Sequence, residues 1–273
     1  MERTKEIAEQ NKVLELQKKE ITDSINYAKR IQQALLPDVK SIHKALPNSF
    51  VFYLPKDIVS GDFYFFHENK PEHSKKSSEF LIAAADCTGH GVPGSLMSMI
   101  VHEKLENAVQ QTSEPREILQ KLNRQVKDAL KQNMNENASR DGCDIALCKI
   151  TETSVTYSGA YRPLYVYNKA GEFAEIKATK TAIAGITPYD QEFDQTELLI
   201  KDLKAIYLFS DGYADQFGGE KSKKLTTKKF KLLLSTLVNL PIHQQKLQLE
   251  SFFSEWRGEV EQIDDILVIG ILF

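Results

Sequence analysis

Residues 80–91 read FLIAAADCTGHG, an apolar run that ends in an aspartate and a glycine-bounded turn. The apolar run is shorter than an ordinary helix and suits a buried strand. Asp86 follows it directly, and Gly89 and Gly91 allow the chain to turn sharply afterwards. The stretch therefore predicts a core strand whose C-terminal end carries a carboxylate into a tight loop.

Three other segments place aspartate at a strand end or in a glycine-bounded turn. Asp62 follows Gly61, Asp211 follows a second apolar strand, and Asp264 opens the final strand. Taken singly, such an aspartate is more typical of a turn or a cap, because its side chain hydrogen-bonds nearby backbone. Antiparallel neighbours place the end of one strand beside the start of the next, so we expect these aspartates and Asp86 to gather at one edge.

Carboxylates gathered at one edge repel one another and raise each other's pKa unless a cation compensates them. Oxygen ligands suit Mg²⁺ or Mn²⁺, whereas the sequence has no paired His or Cys ligands at the spacing that zinc sites use. The four segments together therefore predict a magnesium or manganese site.

The rest of the chain alternates short strands with paired helices. Strands are predicted at 50–56, 61–67, 79–86, 143–150, 153–159, 163–168, 194–200, 204–210 and 265–272. Helices are predicted at 92–111, 115–132, 226–238 and 242–256. The polar stretches 69–78 and 218–228 are predicted as loops. Strands that follow one another as hairpins, with helices in pairs, predict a layered α/β sandwich with mostly antiparallel sheets.

Residues 1–36 contain no Gly and no Pro, and an apolar residue recurs at every seventh position, at Ile7, Leu14, Ile21, Ala28 and Leu35. This repeat favours a parallel coiled coil between two copies of the chain, although Asn11 and Lys18 interrupt the second seam position. A single amphipathic helix packed on its own domain would give a similar stripe. Pro37 ends the helix. We therefore expect a helical dimerising segment at 1–36 and one catalytic domain at 37–273.

Composition excludes several classes of protein. The chain has 273 residues, 41% of them hydrophobic, and a net charge of -3, which is typical of a globular protein and argues against a nucleic-acid binder. Its apolar runs are shorter than the roughly 20 residues of a membrane span, and no signal peptide is recognisable. Three cysteines without CxxC spacing fit a reducing, cytoplasmic location.

In order and spacing, several motifs resemble the SpoIIE-like (RsbU-type) branch of the metal-dependent Ser/Thr protein phosphatases, the PPM superfamily. The resemblance runs from about Ile31 to Phe273. Its motifs are ALLP at 34–37, SGDFY at 60–64, AD at 85–86, GHG at 89–91, PGSLM at 93–97, YSGA at 157–160, RP at 162–163, SDG at 210–212 and DD at 264–265. It implies two central antiparallel sheets covered by helices on both sides, and a hydrolase that uses two divalent cations, Mn²⁺ or Mg²⁺.

The resemblance also implies roles for individual residues. Asp86 would bridge both cations, and the backbone carbonyl of Cys87 would ligate one of them. Asp62 would contribute on the same side, whereas Asp211 and Asp264 would hold the other cation. Asp86 and Asp211 would then act on the substrate through a metal-activated water.

Four further positions are secondary candidates. Asp265 lies where relatives vary, and Asp144 lies in a strand, where an isolated acid is more often paired or exposed than catalytic. His90 is either a proton donor or a turn residue held between glycines. Arg162 could bind the substrate phosphate through two hydrogen bonds, or it could lie at the surface or brace a loop.

The helix after the metal loop begins with small residues that allow close backbone packing, namely Gly91, Pro93, Gly94 and Ser95. Ordinary packing would explain them. The resemblance suggests a regulatory helix that shifts and so places Asp86 and Asp62 well or badly for metal. The N-terminal helix is then a candidate lever for this switch.

The implied substrate is a phosphorylated serine or threonine of a signalling protein, in this branch a STAS-type anti-sigma-factor antagonist. Two other functions stay open. The first is a hydrolase of small phosphoesters. Aromatic, pocket-forming insertions between the motifs would favour it, and the sequence has none. A catalytically silent pseudophosphatase, acting as a dimeric scaffold, would be marked by loss of Asp86, Asp211 or Asp264, and all three are present.

Overall fold

A computed structural model describes residues 2–69, 79–133 and 139–273. The helices are α1 Glu2–Leu35, α2 Val39–Ala45, α3 Gly91–Val109, α4 Pro115–Ala129, α5 Gly212–Asp215, α6 Thr227–Leu237 and α7 Ile242–Arg257, with a 3₁₀ turn at Ile200–Asp202. The strands are β1 Ser49–Leu54, β2 Asp62–Asn69, β3 Glu79–Cys87, β4 Gly142–Ile150, β5 Ser154–Ala160, β6 Leu164–Asn168, β7 Phe173–Ile176, β8 Ile183–Ala184, β9 Gln195–Leu199, β10 Leu203–Phe209, β11 Phe217–Gly218, β12 Lys223–Lys224 and β13 Ile266–Leu272.

Two antiparallel sheets form the centre of the domain. Sheet I has the order β2-β3-β4-β5-β9, with β8 paired to β4, and sheet II has the order β1-β13-β10-β6-β7. Strands β11 and β12 form a small separate hairpin. This arrangement confirms the predicted sandwich of two mostly antiparallel sheets.

Alternation along the strands produces three apolar layers. On β3, Leu81 and Ala83 pack toward α3 and α4, whereas Ile82 packs in the layer between the sheets, where it shares a cluster with Leu208 and Ile269 of sheet II. The outer face of sheet II packs against α6 and α7. The order of layers is therefore helix, sheet, sheet, helix, as expected.

Helix α1 ends at Leu35, two residues before Pro37, so the long N-terminal helix is confirmed. Its apolar stripe is open to solvent in the single chain: Ile7, Leu14 and Ile21 are 56%, 63% and 61% exposed. The domain itself thus leaves this part of the stripe uncovered. Pairing of two such helices stays a prediction.

Several short elements were not predicted. They are α2, α5, the strands β7 and β8, and the β11-β12 hairpin, which lies partly in the predicted loop at 218–228. Each is too short to show a period of its own, so tertiary packing decides its conformation. Most of the other predicted loop, residues 70–78, lies outside the described residues. No described helix is both long and apolar enough to cross a membrane.

Candidate active site

Three carboxylates form a row across sheet I. In the register of the strands, Asp62 on β2 lies opposite Asp86 on β3, and Asp86 lies opposite Asp144 on β4. Directly opposed residues of antiparallel strands point to the same face, so the three side chains share one side of the sheet edge. Asp62 and Asp86 are the metal ligands expected from the sequence, and Asp144 is a secondary candidate.

The carboxylates of sheet II lie in loops rather than on strands. Asp211 follows β10, and Asp264 precedes β13, which is the antiparallel neighbour of β10. Ser210 joins the end of β10 to β13, since its N–H donates to the carbonyl of Leu267 at 3.0 Å and its Oγ accepts from the N–H of Leu267 at 3.0 Å. The two loops meet beyond it, where a Cβ on Gly212 would lie 3.3 Å from the Cβ of Asp264. The predicted gathering at one sheet edge therefore occurs for this pair.

Arg162 joins the two groups of carboxylates. Its terminal amino group Nη2 lies 2.7 Å from Asp86 Oδ2, 2.7 Å from Asp211 Oδ2 and 3.3 Å from Asp144 Oδ2. The Arg162 side chain is only 14% exposed. Neither a surface position nor a simple loop brace describes these contacts, because the guanidinium lies among the carboxylates themselves.

A tight turn after β5 presents the arginine. Tyr161 has a positive φ of 53°, and the N–H of Arg162 donates to the carbonyl of Ala160 at 2.6 Å. The hydroxyl of Tyr157 donates to the carbonyl of Arg162 at 2.5 Å. The backbone of Arg162 is thus anchored beneath the carboxylate row.

Burial makes the row electrostatically costly. It raises the pKa of Asp86 to about 7, with Asp211 and Asp144 adding to the shift and Arg162 opposing it. It also raises the pKa of Asp144 to about 6, again opposed by Arg162. Burial and the neighbouring Asp86 hold the pKa of Asp62 well above its usual range. These carboxylates therefore need cationic compensation to stay ionised together.

Asp264 and Asp265 differ although they are adjacent. Asp265 is 2% exposed, and its two carboxylate oxygens accept hydrogen bonds from the N–H groups of Lys56 and Gly61, each at 2.8 Å. Asp264 is partly buried, which raises its pKa, and its Oδ1 accepts from the N–H of Asp265 at 2.8 Å. Asp265 therefore ties the loop that precedes Asp62 to sheet II, a role that the sequence did not reveal.

The loop after β3 is packed too tightly for side chains at two glycines. A Cβ on Gly61 would lie 2.4 Å from the carbonyl oxygen of Gly89, and a Cβ on Gly94 would lie 2.1 Å from the same oxygen. The N–H of Cys87 donates to the carbonyl of Gly61 at 3.3 Å. Gly94 and the buried Ser95 thus seat the start of α3 directly on the loop that carries the Cys87 carbonyl. Gly91 and Pro93 lie in the first turn of the same helix.

His90 is exposed and precedes α3. Its Nδ1 lies 2.9 Å from Asp57 Oδ2, and its Nε2 lies 3.3 Å from the Nζ of Lys56. The contact with Asp57 orients the ring, and both roles considered for His90, turn residue and proton donor, stay predictions. Asp57 and Lys56 were not found by sequence reasoning, because a loop residue between strands carries no periodic signal.

Gln32 connects α1 to this region and was also missed. Its Nε2 donates to the carbonyl of Ser60 at 2.6 Å and to Ser98 Oγ at 2.9 Å, and its Oε1 accepts from the N–H of Ser60 at 3.1 Å. Ser60 Oγ in turn accepts from the N–H of Asp62 at 3.0 Å. One buried glutamine therefore links α1, α3 and the strand that carries Asp62. A single glutamine within a charged helix gives no sequence signal for such a contact.

The donors suit a hard divalent cation. Among the described residues, no three Asp, Glu, His or Cys side chains form a closed ligand set as they stand, and Arg162 lies between three of the carboxylates. All candidate donors are oxygens, as such cations prefer. Asp62 Oδ2 is buried and has no hydrogen-bond partner. An unpaired buried carboxylate oxygen beside further acids fits a cation ligand better than a structural residue.

A cleft of about 220 Å³ opens beside the row. Asp86 and Asp144 line it, together with Thr88, Arg140 and Tyr161. Its place next to the carboxylates makes it a candidate approach for a substrate.

The helix-sheet-sheet-helix fold with its acidic edge is that of a PP2C-type phosphatase domain. The chain matches the family described as Stage II sporulation protein E (SpoIIE) over residues 76–272, and it belongs to that family. Comparison with curated proteins found no match.

Solved structures agree with this assignment. The SiaA-PP2C domain of Pseudomonas aeruginosa superimposes with a TM-score of 0.80 at 28% identity, over 94% of this chain and 98% of that one. The PP2C domain and regulatory-domain fragment of SpoIIE from Bacillus subtilis gives 0.61 at 15% identity, over 83% of this chain and 63% of that one. RsbX in complex with magnesium gives 0.54 at 17% identity, over 82% of this chain and 94% of that one. The last two likenesses show the fold alone.

Proposed function

We propose that this chain is an active protein serine/threonine phosphatase that uses two divalent cations, Mn²⁺ or Mg²⁺, and dephosphorylates a STAS-type anti-sigma-factor antagonist in the cytoplasm. The observation that carries the proposal is the meeting of two acidic edges. Asp86 and Asp144 of sheet I meet Asp211 of sheet II at a single guanidinium, with Asp62 opposite Asp86 on the next strand, in a chain of the SpoIIE family.

The ligands would be Asp62, Asp86, the carbonyl of Cys87, Asp211 and Asp264. When bound, the cations supply an activated water and neutralise charge on the phosphoryl oxygens. Asp86 is the natural bridging ligand because it lies opposite Asp62 in sheet I and shares Arg162 with Asp211.

The other residues position the substrate. The cleft beside Asp86 and Asp144 would receive the peptide that flanks the phosphorylated residue. Arg162 keeps its proposed role as a phosphate ligand, since its planar guanidinium matches phosphoryl oxygens.

The first test is hydrolysis of an aryl phosphate by the full chain, with EDTA, Mg²⁺ and Mn²⁺ in parallel, beside the variant Asp211→Asn. We expect activity that requires the metal and falls at least about 1000-fold in the variant, because a cation ligand is lost while the fold stays intact. Asp215→Asn, which removes a nearby acid paired with Lys224, is the matched control and should retain activity. Full activity of Asp211→Asn would refute the assignment.

A phosphorylated STAS-domain protein tests the substrate class. Release of phosphate from its phosphoserine, at a higher kcat/KM than from an unrelated phosphopeptide, would support the proposal. Equal rates on both would remove the antagonist as the specific substrate while leaving the phosphatase activity in place.

A second candidate function is the silent scaffold, and one observation favours it. Arg162 already compensates three carboxylates, so the chain can hold its acidic edge together through a side chain alone. The hydrolysis experiment separates the two functions, since a scaffold would show no turnover with any metal.

The N-terminal helix is proposed to form a homodimer and to control the active site. The exposed stripe of α1 supports pairing, and the contacts of Gln32 with Ser60 and Ser98 support control, because they tie α1 to Asp62 and α3. The substitution Leu14→Lys places a charge in the exposed stripe and should convert the dimer to a monomer in sedimentation. An unchanged sedimentation coefficient would argue against pairing through this stripe.

Control by α1 is tested through Gln32→Leu, with the exposed Gln33→Leu as its matched control. Loss of the buried hydrogen bonds should lower kcat several-fold and weaken Mn²⁺ binding, since Ser60 is no longer held. Equal kinetics for the two variants would show that α1 does not act through this contact.

A further inference from the structure

We propose that Arg162 is a built-in counter-cation of the active site: its guanidinium occupies the carboxylates that a divalent cation needs, and metal binding must displace it. Arg162 thereby sets how much free metal the chain requires. This inference rests on the proposed metal-dependent function.

The contacts of Arg162 are those of a substitute cation. One terminal nitrogen bridges Asp86 and Asp211 at 2.7 Å each and also reaches Asp144 at 3.3 Å. Two of these three acids, Asp86 and Asp211, are proposed metal ligands on different sheets. A divalent cation bound to the same oxygens would lie within a few ångströms of a like charge in a poorly solvated place, where repulsion is strong. Guanidinium and metal therefore exclude each other at these oxygens.

The arginine side chain is also held in a way that permits displacement. Its Nε is buried without a hydrogen-bond partner, so the carboxylate contacts at the terminal nitrogen hold the group in place. The backbone is anchored separately, through the hydroxyl of Tyr157. The adjoining cleft, lined by Tyr161 and Thr88, offers space for the released side chain. Movement of the side chain alone can thus clear the site.

A bracing role for Arg162 would change metal affinity in the opposite direction. If Arg162 only braced the carboxylates in their binding geometry, removing it would disorder them and weaken metal binding. If it competes with metal, removing it strengthens metal binding. The sign of the change in affinity therefore separates the two roles.

The test is Mn²⁺ binding to the full-length chain, followed by titration calorimetry and by the electron paramagnetic resonance signal of free Mn²⁺. We expect Arg162→Gln to bind Mn²⁺ about tenfold more tightly than the unaltered chain, because one competing charge is gone. Arg162→Lys keeps the positive charge but loses the planar guanidinium, so its Mn²⁺ affinity should lie between those of Arg162→Gln and the unaltered chain. Arg124→Gln removes a surface arginine of α4 that pairs with Asp190, and this variant should bind Mn²⁺ like the unaltered chain.

A second readout follows unfolding in EDTA. Without metal, Arg162→Gln should melt at a lower temperature, because three carboxylates lose their cation, and added Mn²⁺ should raise its melting temperature more than that of the unaltered chain. Unchanged or weaker Mn²⁺ binding by Arg162→Gln would overturn the inference and leave the proposed function standing. If neither protein binds Mn²⁺ or Mg²⁺, both fail. If Arg162→Gln does not fold, Arg162→Lys replaces it: tighter Mn²⁺ binding than the unaltered chain supports competition, and unchanged or weaker binding overturns it.

Discussion

The two acidic edges of the active site are built in different ways. In sheet I the carboxylates are carried by the strands, and the ladder of β2, β3 and β4 sets their spacing. In sheet II they lie in the loops next to β10 and β13, where local hydrogen bonds hold them. Exposure differs accordingly: the Asp86 side chain is 20% exposed and that of Asp211 is 39% exposed. The strand-borne acids are fixed by the ladder and desolvated, whereas Asp211 stays more hydrated and Asp264 is held by a local hydrogen bond.

The largest expected contrast lies between neighbours at the second edge. Asp265→Ala leaves the N–H groups of Lys56 and Gly61 without their partner and should lower the free energy of unfolding by about 2–4 kcal/mol. Asp264→Ala should lower it by less than about 1 kcal/mol, yet abolish turnover, because Asp264 is a proposed ligand. Urea unfolding and aryl phosphate hydrolysis measure the two effects. Equal stability losses in the two variants would mean that the brace is not Asp265.

A smaller effect is expected from glycines that pack each edge. A Cβ at Gly94 would lie 2.1 Å from the carbonyl oxygen of Gly89, and one at Gly212 would lie 2.0 Å from that of Asp265. Gly94→Ala and Gly212→Ala should each destabilise the chain by about 1–3 kcal/mol, since backbone must shift to make room. Gly171→Ala, where nothing lies within 4 Å, should cost only the strain of its positive φ of 84°. If the three variants unfold at the same urea midpoint, the close packing at the edges is contradicted.

The smallest effect concerns the helices that cover the two sheets. His102 on α3 is 6% exposed and packs against the rings of Phe63 and Phe65, and burial lowers its pKa. Because the folded state disfavours the proton, stability from the neutral ring is present above the ordinary histidine pKa of about 6.5 and is lost as pH falls below it. Relative to His102→Leu, the unaltered chain should lose stability between pH 7.5 and pH 5.5, at no more than about 1.4 kcal/mol per pH unit.

The matched control for this pH effect is His243→Leu, which alters the exposed histidine of α7 over sheet II. Its stability should follow the same pH dependence as the unaltered chain. If His102→Leu and the unaltered chain have parallel pH profiles in thermal unfolding, the buried ring is not the source of the pH dependence.

Much of the architecture was readable from local pattern. The run before Asp86 became β3, and the apolar periods at 115–132 and 242–256 became α4 and α7, because one strand or helix face must be buried wherever such a period occurs. The short elements and the brace at Asp265 could not be predicted in this way. Their partners, such as Lys56 and Gly61, are more than 200 residues away in sequence.

By itself, the sequence determined the layered fold, the long N-terminal helix and the carboxylates that end the core strands, because apolar period and residue chemistry are local properties. Only the tertiary structure decided that Asp144 lies beside Asp86, that Gln32 reaches Ser60, and that Arg162 lies among the acids rather than at the surface. These relations join segments of the chain that no period or spacing connects. Their physical basis is strand register and side-chain reach, which exist only once the two sheets have packed together.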